Sequence, residues 1–321
     1  MNKTLDQSVA AIITTYKRPT VLGRAIRSIL GQTYPAGSLT VIDNDPQASA
    51  KAIIKSLEDE HEVRIRYICE PRSGASAARN RGILEAEMPY IAFLDDDDVW
   101  EKKHLSQFAK CLAINPGLVL FGGYLARLSK PEQLILPVDS KLFATFEVDE
   151  ERRFLLRSAR PLEQPFFTPS MSTSVIRTDA ARQIMFDEDL AGREDIYFVW
   201  LISQLGDIVI DQEVNGYADQ LDTSLFSVSA QATPQERLAM DLKKADNGVK
   251  MLERLMQRIV ATEPMVREFS AAHFDASYFH SKAGHTRQAF AHCWRSFKAA
   301  PSPRHLRLLL GILRNTVSSR D

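Results

Sequence analysis

The chain has 321 residues, 45% of them hydrophobic and 25% charged, the balance of a globular protein with a core of ordinary size. A formal net charge of -1 excludes a uniformly basic nucleic-acid binder, and three scattered cysteines (Cys69, Cys111, Cys293) give neither a disulfide framework nor a zinc pattern. The amino terminus lacks the apolar run of a signal peptide, and no stretch approaches about 18 apolar residues, so a cytosolic chain without a transmembrane helix is expected.

Val9–Thr15 reads as a buried strand, and Pro19 to Leu30 follows as a helix with Val21, Leu22, Ile26, Ile29 and Leu30 on one face. Leu39–Asp43 is a second strand, trailed by a helix from Ser49 to Leu57 and a strand at Ile65–Cys69. Ser76 to Glu87 reads as helix, and the strand Tyr90–Leu94 runs straight into Asp95, Asp96, Asp97 and Asp98. This alternation implies a mostly parallel, Rossmann-like α/β sheet flanked by helices, whose strand carboxyl ends share one edge. Thr14-Thr15-Tyr16, Asp43-Asn44, Glu70 and the four aspartates should therefore converge there.

Further on, residues 102–115 read as helix and Leu118–Phe121 as a strand interrupted by Gly122-Gly123. A charged helix is expected near Glu147–Arg157, a strand at Ser172–Ile176, and a helix behind Glu194-Asp195. Ser224 to Pro234 is a polar link, and from about Gln235 only helices are expected. The organisation is thus an α/β domain over 1–225 and a helical extension over 226–321.

Three clusters carry chemistry. Four adjacent carboxylates repel one another unless a cation or solvent compensates, so Asp95–Asp98 is either a site for Mg²⁺ or Mn²⁺ or a solvated acidic helix start. The run Arg72 to Gly82 offers small residues and Arg79, Asn80 and Arg81, suited to an anion or to a plain exposed helix. Glu194-Asp195 offers a general base or an ordinary acidic helix start.

Taken in order, these pieces resemble glycosyltransferase family 2, whose members have the GT-A fold. The resemblance rests on Ala11 to Pro19, Ala25 to Tyr34, Val41 to Asn44, Gly74 to Gly82, the aspartate run and Glu194-Asp195, and covers roughly residues 8–225. It implies an inverting transferase moving sugar from a nucleotide-diphosphate donor, a UDP-sugar foremost, to an acceptor hydroxyl. Thr14, Thr15, Tyr16, Arg18, Asp43 and Asn44 are the implied nucleoside cradle, with Arg79, Asn80, Asp95 and Asp96 against the donor. Asp95 and Asp97 are the implied ligands of a divalent cation, Asp97 foremost, and Asp195 the implied base with Glu194 supporting it. Many relatives carry two aspartates where this chain has Asp43-Asn44. The Gln-x-x-Arg-Trp signature of processive synthases is absent, which implies one sugar added per encounter. The stretch Asp219 to Ser224 only loosely resembles the family's loop over the donor. Residues that choose sugar and acceptor are expected in Leu128–Thr173. The alternative is a nucleotide-sugar or glycan-binding module that kept the fold without the chemistry.

Between Ala276 and Arg320 there is no Asp or Glu, against eight Lys or Arg residues. Arg304 to Arg314 reads as a basic amphipathic helix able to lie on an anionic membrane, in keeping with a glycan or lipid-linked glycan acceptor at the inner face of the cell membrane. Tyr278, Ala283-Gly284, Ala289 and Pro301 also resemble a helical hairpin of the tetratricopeptide type, which would pack on a neighbour instead.

Overall fold

The structure, a computed structural model, describes residues 8–135, 144–149, 152–157, 169–190, 192–218 and 232–318. Strands β1 (Val9–Thr15), β2 (Ser38–Asp43), β3 (Arg66–Cys69) and β4 (Tyr90–Asp95) alternate with helices α1 (Pro19–Leu30), α2 (Lys51–His61) and α3 (Ala75–Glu85). They pair in parallel in the order β3-β2-β1-β4. The chain moves outward from β1 through β2 to β3 and then returns to the other flank of β1 as β4, which creates a topological switch between β1 and β4.

Beyond β4 come β5 (Asp98–Trp100), α4 (His104–Ile114), β6 (Leu118–Arg127), β7 (Lys130–Leu134), β8 (Ala144–Asp149), β9 (Arg152–Arg157), β10 (Val175–Arg177), α5 (Thr178–Ile184), α6 (Glu194–Ile202) and β11 (Asp207–Ala218). The sheet continues β4-β10-β6-β11-β9-β8, with β10 antiparallel to both neighbours and β6 parallel to β11. Both faces of β1 are covered, which is why its sequence is apolar from Val9 to Ile13 rather than alternating. Val9, Ala11 and Ile13 pack on one side with α1 and α2, and Ala10 and Ile12 on the other with α3 and α5. Helix α3 lies so close to β1 that a Cβ on Gly82 would come within 2.6 Å of Ile12 Cγ2.

Three expectations are corrected. The described residues of Glu147–Arg157 form no helix: they fall on β8 and β9, an antiparallel pair of strands, the second of which also pairs with β11. Thr145, Phe146 and Val148 favour strand, and the open edge of β11 decides the outcome. Gly122-Gly123 does not interrupt its strand but lies within β6, where the missing side chains admit Pro169 and Asn215. Ser172–Ile176 splits into a single 3₁₀ turn, Met171–Thr173, and β10.

The chain divides into two compact units. One holds the sheet and its helices through Glu188, and resumes at Phe198. The other holds Asp189–Tyr197 and the helices α7 (Pro234–Arg258), α8 (Glu263–Lys282), α9 (Thr286–Ala299) and α10 (Pro303–Ser318). Helix α7 opens with a capping box in which Thr233 Oγ1 accepts from Glu236 N at 3.2 Å and Thr233 N donates to Glu236 Oε2 at 2.7 Å. Helices α8 and α9 run antiparallel, Ser277 Oγ donating to Ala289 O at 2.7 Å and Ser270 Oγ to Ser296 O at 2.9 Å. Gly284, at φ +78°, makes the turn between them. Among the described residues, no helix is long and apolar enough to cross a membrane.

Candidate active site

The parallel register fixes which polar residues meet. Thr15 lies opposite Asp43 and Thr14 opposite Asp95, so the ends of β1, β2 and β4 share one level. Backbone bonds then continue past the strands: Asn44 N donates to Thr15 O and Glu70 N to Asp43 O, each at 2.9 Å. Asp45 N and Ala50 N donate to the two oxygens of Asp43, and Tyr67 Oη donates to the second of them at 3.2 Å. Asn44 Nδ2 donates to the carbonyls of Glu70 and Arg72, tying β2 to the start of the α3 segment. Arg72 in turn holds the buried Glu70 carboxylate below its usual pKa. Tyr16 stands exposed at the rim, with Lys17 Nζ 5.0 Å from its ring centre.

The four aspartates are not equivalent. Asp95 closes β4, Asp98 opens β5, and Asp96 and Asp97 form the turn between. Asp96 is fully buried and accepts from Thr15 Oγ1 at 2.6 Å. Arg18 spans the turn, with Nη1 2.6 Å from Asp97 Oδ2 and Nη2 3.0 Å from Asp96 Oδ1; the second contact is an ion pair without good hydrogen-bond alignment. Arg24 Nη2 donates to the Asp97 carbonyl at 2.9 Å, and Arg79 Nη2 to Asp95 Oδ1 at 3.0 Å. Ser172, brought in by the 3₁₀ turn, accepts from Asp95 N at 3.2 Å, and its carbonyl accepts from Trp100 Nε1 at 2.6 Å.

Burial sets the electrostatics. It raises the Asp96 carboxyl to about 7, with Asp97 and Asp95 adding to the rise and Thr15 and Arg18 opposing it. Burial also raises Asp97 against the pull of Arg18, and it raises Asp98 well above the ordinary range, with Asp95 adding. Negative charge on Asp96 and Asp97 is thus held at a cost that Arg18 only partly offsets. Arg79 and Arg18 each engage one oxygen of Asp95 and Asp97, so a second oxygen remains on each. Two such oxygens in an electron-rich turn fit a hard divalent cation of the Mg²⁺ or Mn²⁺ kind.

Asn80 takes a different place from Arg79. Its Oδ1 accepts from Phe186 N at 2.7 Å and its Nδ2 donates to Phe186 O and Glu188, so it clamps the segment after α5 onto α3. Glu194 and Asp195 occupy the first turn of α6, where Gly192 N donates to Glu194 and Ile196 N to Asp195 Oδ1. Helix α6 begins in one compact unit and continues in the other. The stretch Asp219 to Ser224, part of Leu128–Thr173 and most of the polar link lie outside the described residues. Ser172 and Arg24 went unnoticed in the sequence, because only the pairing of distant segments brings them to the aspartates.

The family described as Glycosyl transferase family 2 matches residues 10–183. Among curated relatives, the succinoglycan biosynthesis protein ExoW of Rhizobium meliloti is 36% identical over 91 residues, 28% of this chain and 28% of its own. The UDP-Glc:alpha-D-GlcNAc-diphosphoundecaprenol beta-1,3-glucosyltransferase WfgD of Escherichia coli is 30% identical over 120 residues, 37% of this chain and 46% of its own. The chain therefore matches less than half the length of either relative. Among solved structures, residues 1–349 of S. aureus TarS in complex with UDP-GlcNAc share the fold at a TM-score of 0.62 and 15% identity, over 96% of this chain and 89% of that one. The mannosyltransferase PcManGT of Pyrobaculum calidifontis, in complex with GDP-Man and Mn²⁺, does so at 0.58 and 16%, over 94% and 78%.

Proposed function

The chain belongs to glycosyl transferase family 2, and on that premise we propose that it is an inverting glycosyltransferase, moving a sugar from a nucleotide-diphosphate donor, UDP-linked foremost, to an acceptor hydroxyl. The observation that carries the reading is the acidic turn at the β1–β4 switch, with Asp95 and Asp97 each keeping a carboxylate oxygen beside Arg18 and Arg79. In this reading Thr14, Thr15, Tyr16, Asp43 and Asn44 cradle the nucleoside. Asp43 does so indirectly: its carboxylate is taken up by Asp45 N, Ala50 N and Tyr67 Oη, so it shapes the loop that the base meets.

Asp95 and Asp97 would hold a divalent cation, Mn²⁺ or Mg²⁺, which would supply positive charge for the departing nucleotide diphosphate. Arg18 and Arg79 exchange their carboxylate partners for diphosphate oxygens and hold the donor in line. Asp96, buried on Thr15, fixes the turn between its two neighbours. Asp195 takes the proton of the attacking hydroxyl as general base, and Glu194 supports it. Attack from the face opposite the leaving group inverts the anomeric centre.

Both named relatives support a role in cell-surface polysaccharide or glycoconjugate synthesis, and the diphosphoundecaprenol of one of them supports a lipid-linked acceptor at the inner face of the membrane. Peripheral contact through the tail fits that acceptor. Trp294, Leu306, Leu310 and Leu313 stand exposed on α9 and α10, in a stretch rich in Lys and Arg and free of Asp and Glu. The deciding experiment is a calorimetric screen of UDP-, GDP- and dTDP-sugars, each with Mn²⁺, Mg²⁺ or EDTA. One donor should bind only with the cation; no binding of any donor under any condition would overturn the reading.

A further inference from the structure

Five of the chain's seven histidines fall between residues 273 and 305, and four of them meet in one place. His280 Nε2 lies 3.0 Å from Asp246 Oδ1. The His280 and His292 rings stack at 5.2 Å, and one ligand atom from each of Asp246, His280 and His292 lies within 4.8 Å of the other two. These residues come from three successive helices, α7, α8 and α9, all in the helical unit.

We propose that Asp246, His280 and His292 form a binding site for a borderline-soft divalent cation, zinc foremost, that staples α7, α8 and α9 together. Two imidazoles and a carboxylate are the donor set that zinc takes at three protein positions, with a fourth left for water. Nitrogen donors distinguish it from the all-oxygen turn at Asp95–Asp97, which suits a harder ion. The surrounding contacts fit the role. His280 Nδ1 is 3.2 Å from His285 Nδ1, and His292 Nδ1 is 2.8 Å from His273 Nδ1. His280 can thus donate its Nδ1–H to His285 and keep unprotonated the Nε2 that faces Asp246, which is how outer contacts orient metal-binding histidines. Arg295, the nearby guanidinium, is drawn off by Glu253 at 2.9 Å.

The packing gives such a staple something to do. Ser270, His273, Ser277, His280, Ser296 and His305 are buried in these helices beside Val249, Met251, Leu252, Leu255 and Met265, and Ala289, Cys293 and Ile312 join α9 to α10 with Phe290, Leu308 and Leu309 packed against them. A cation bound only by the folded form of these helices adds its binding free energy to stability.

The test uses the full chain without an affinity tag, stripped with chelator and dialysed against Zn²⁺ or Co²⁺. With Mg²⁺ in excess to occupy the Asp95–Asp97 turn, one zinc per chain should bind, and Co²⁺ should develop the visible absorption of a four-coordinate site. Asp246→Ala and His292→Ala should each weaken zinc binding by at least ~100-fold, while Asp97→Ala leaves it unchanged. Circular dichroism of the stripped variants, matched to stripped parent, separates loss of the site from loss of the fold. No zinc uptake by the parent, or equal uptake by the parent and a folded His292→Ala variant, would overturn the proposal.

Discussion

Replacing Asp96 by Asn should stabilise the protein in EDTA at neutral pH, although Asp96 sits at the centre of the candidate site. Its carboxyl is fully buried and lifted from an ordinary 3.8 to about 7, chiefly by desolvation. At about 1.4 kcal/mol per tenfold change in proton affinity, keeping that carboxylate charged costs about 4 kcal/mol. Because the folded carboxyl holds its proton to higher pH than the unfolded one, the stabilising share is full below about pH 4 and is lost as pH rises toward 7. Asn keeps an oxygen for Thr15 Oγ1 and sheds the charge, but it also gives up the Arg18 ion pair. The net gain should therefore lie between about 1 and about 4 kcal/mol at pH 7.5, some 2–4 °C of melting temperature per kcal/mol, and should vanish near pH 4. Thermal unfolding of parent and variant in EDTA across that range measures it. A variant less stable than its parent at pH 7.5, or a gain independent of pH, would refute the claim that burial dominates this carboxyl.

Asp195→Asn should leave donor binding nearly intact while slowing transfer by roughly 10²–10⁴-fold, read as a fall in kcat; equal rates would remove it as the base. Asp97→Ala should abolish the cation dependence of donor binding in calorimetry, and unchanged dependence would exclude it as a ligand. Gly82→Ala should cost about 1–3 kcal/mol, despite alanine's better helix propensity, because the new Cβ meets Ile12 at 2.6 Å; a melting point equal to the parent's would mean that α3 yields freely. Burial lowers the His104 imidazole to about 4, so up to about 3 kcal/mol of stability present at neutral pH should be lost as pH falls from about 6.5 toward 4. Urea midpoints at pH 7 and 4.5 should converge for a His104→Asn variant more than for the parent.

The first half of the sheet is legible because its signals are local. β1, α1, β2 and β4 each carry their period within a dozen residues, and the acidic run ends a buried strand, so the shared edge follows from chain order alone. Other features depend on partners far away in sequence. Residues 144–149 and 152–157 become paired strands because β11 offers an edge, and Gly122-Gly123 stays in strand because Asn215 and Pro169 fill the space beside it. At the site the residue types are readable but their division of labour is not. Nothing local distinguishes Asp96, folded inward on Thr15, from Asp97, turned toward Arg18, and nothing marks Ser172 as their neighbour. Asp43 stands at a readable position, yet its carboxylate serves the backbone, which only the β2–α2 loop geometry reveals.

The acidic turn has two anchors of different age. Asp95 is held by β4 against β1, a pairing available once the first hundred residues exist. Asp98 is held by β5, whose partner on β11 is the stretch Gly216–Ala218. A ribosome delivering this chain must therefore release both segments before the turn is clamped at each end, and until then the four carboxylates belong to an open strand terminus. Synthesis that stops short of β11 yields a polypeptide with every aspartate in place and β5 without its partner strand.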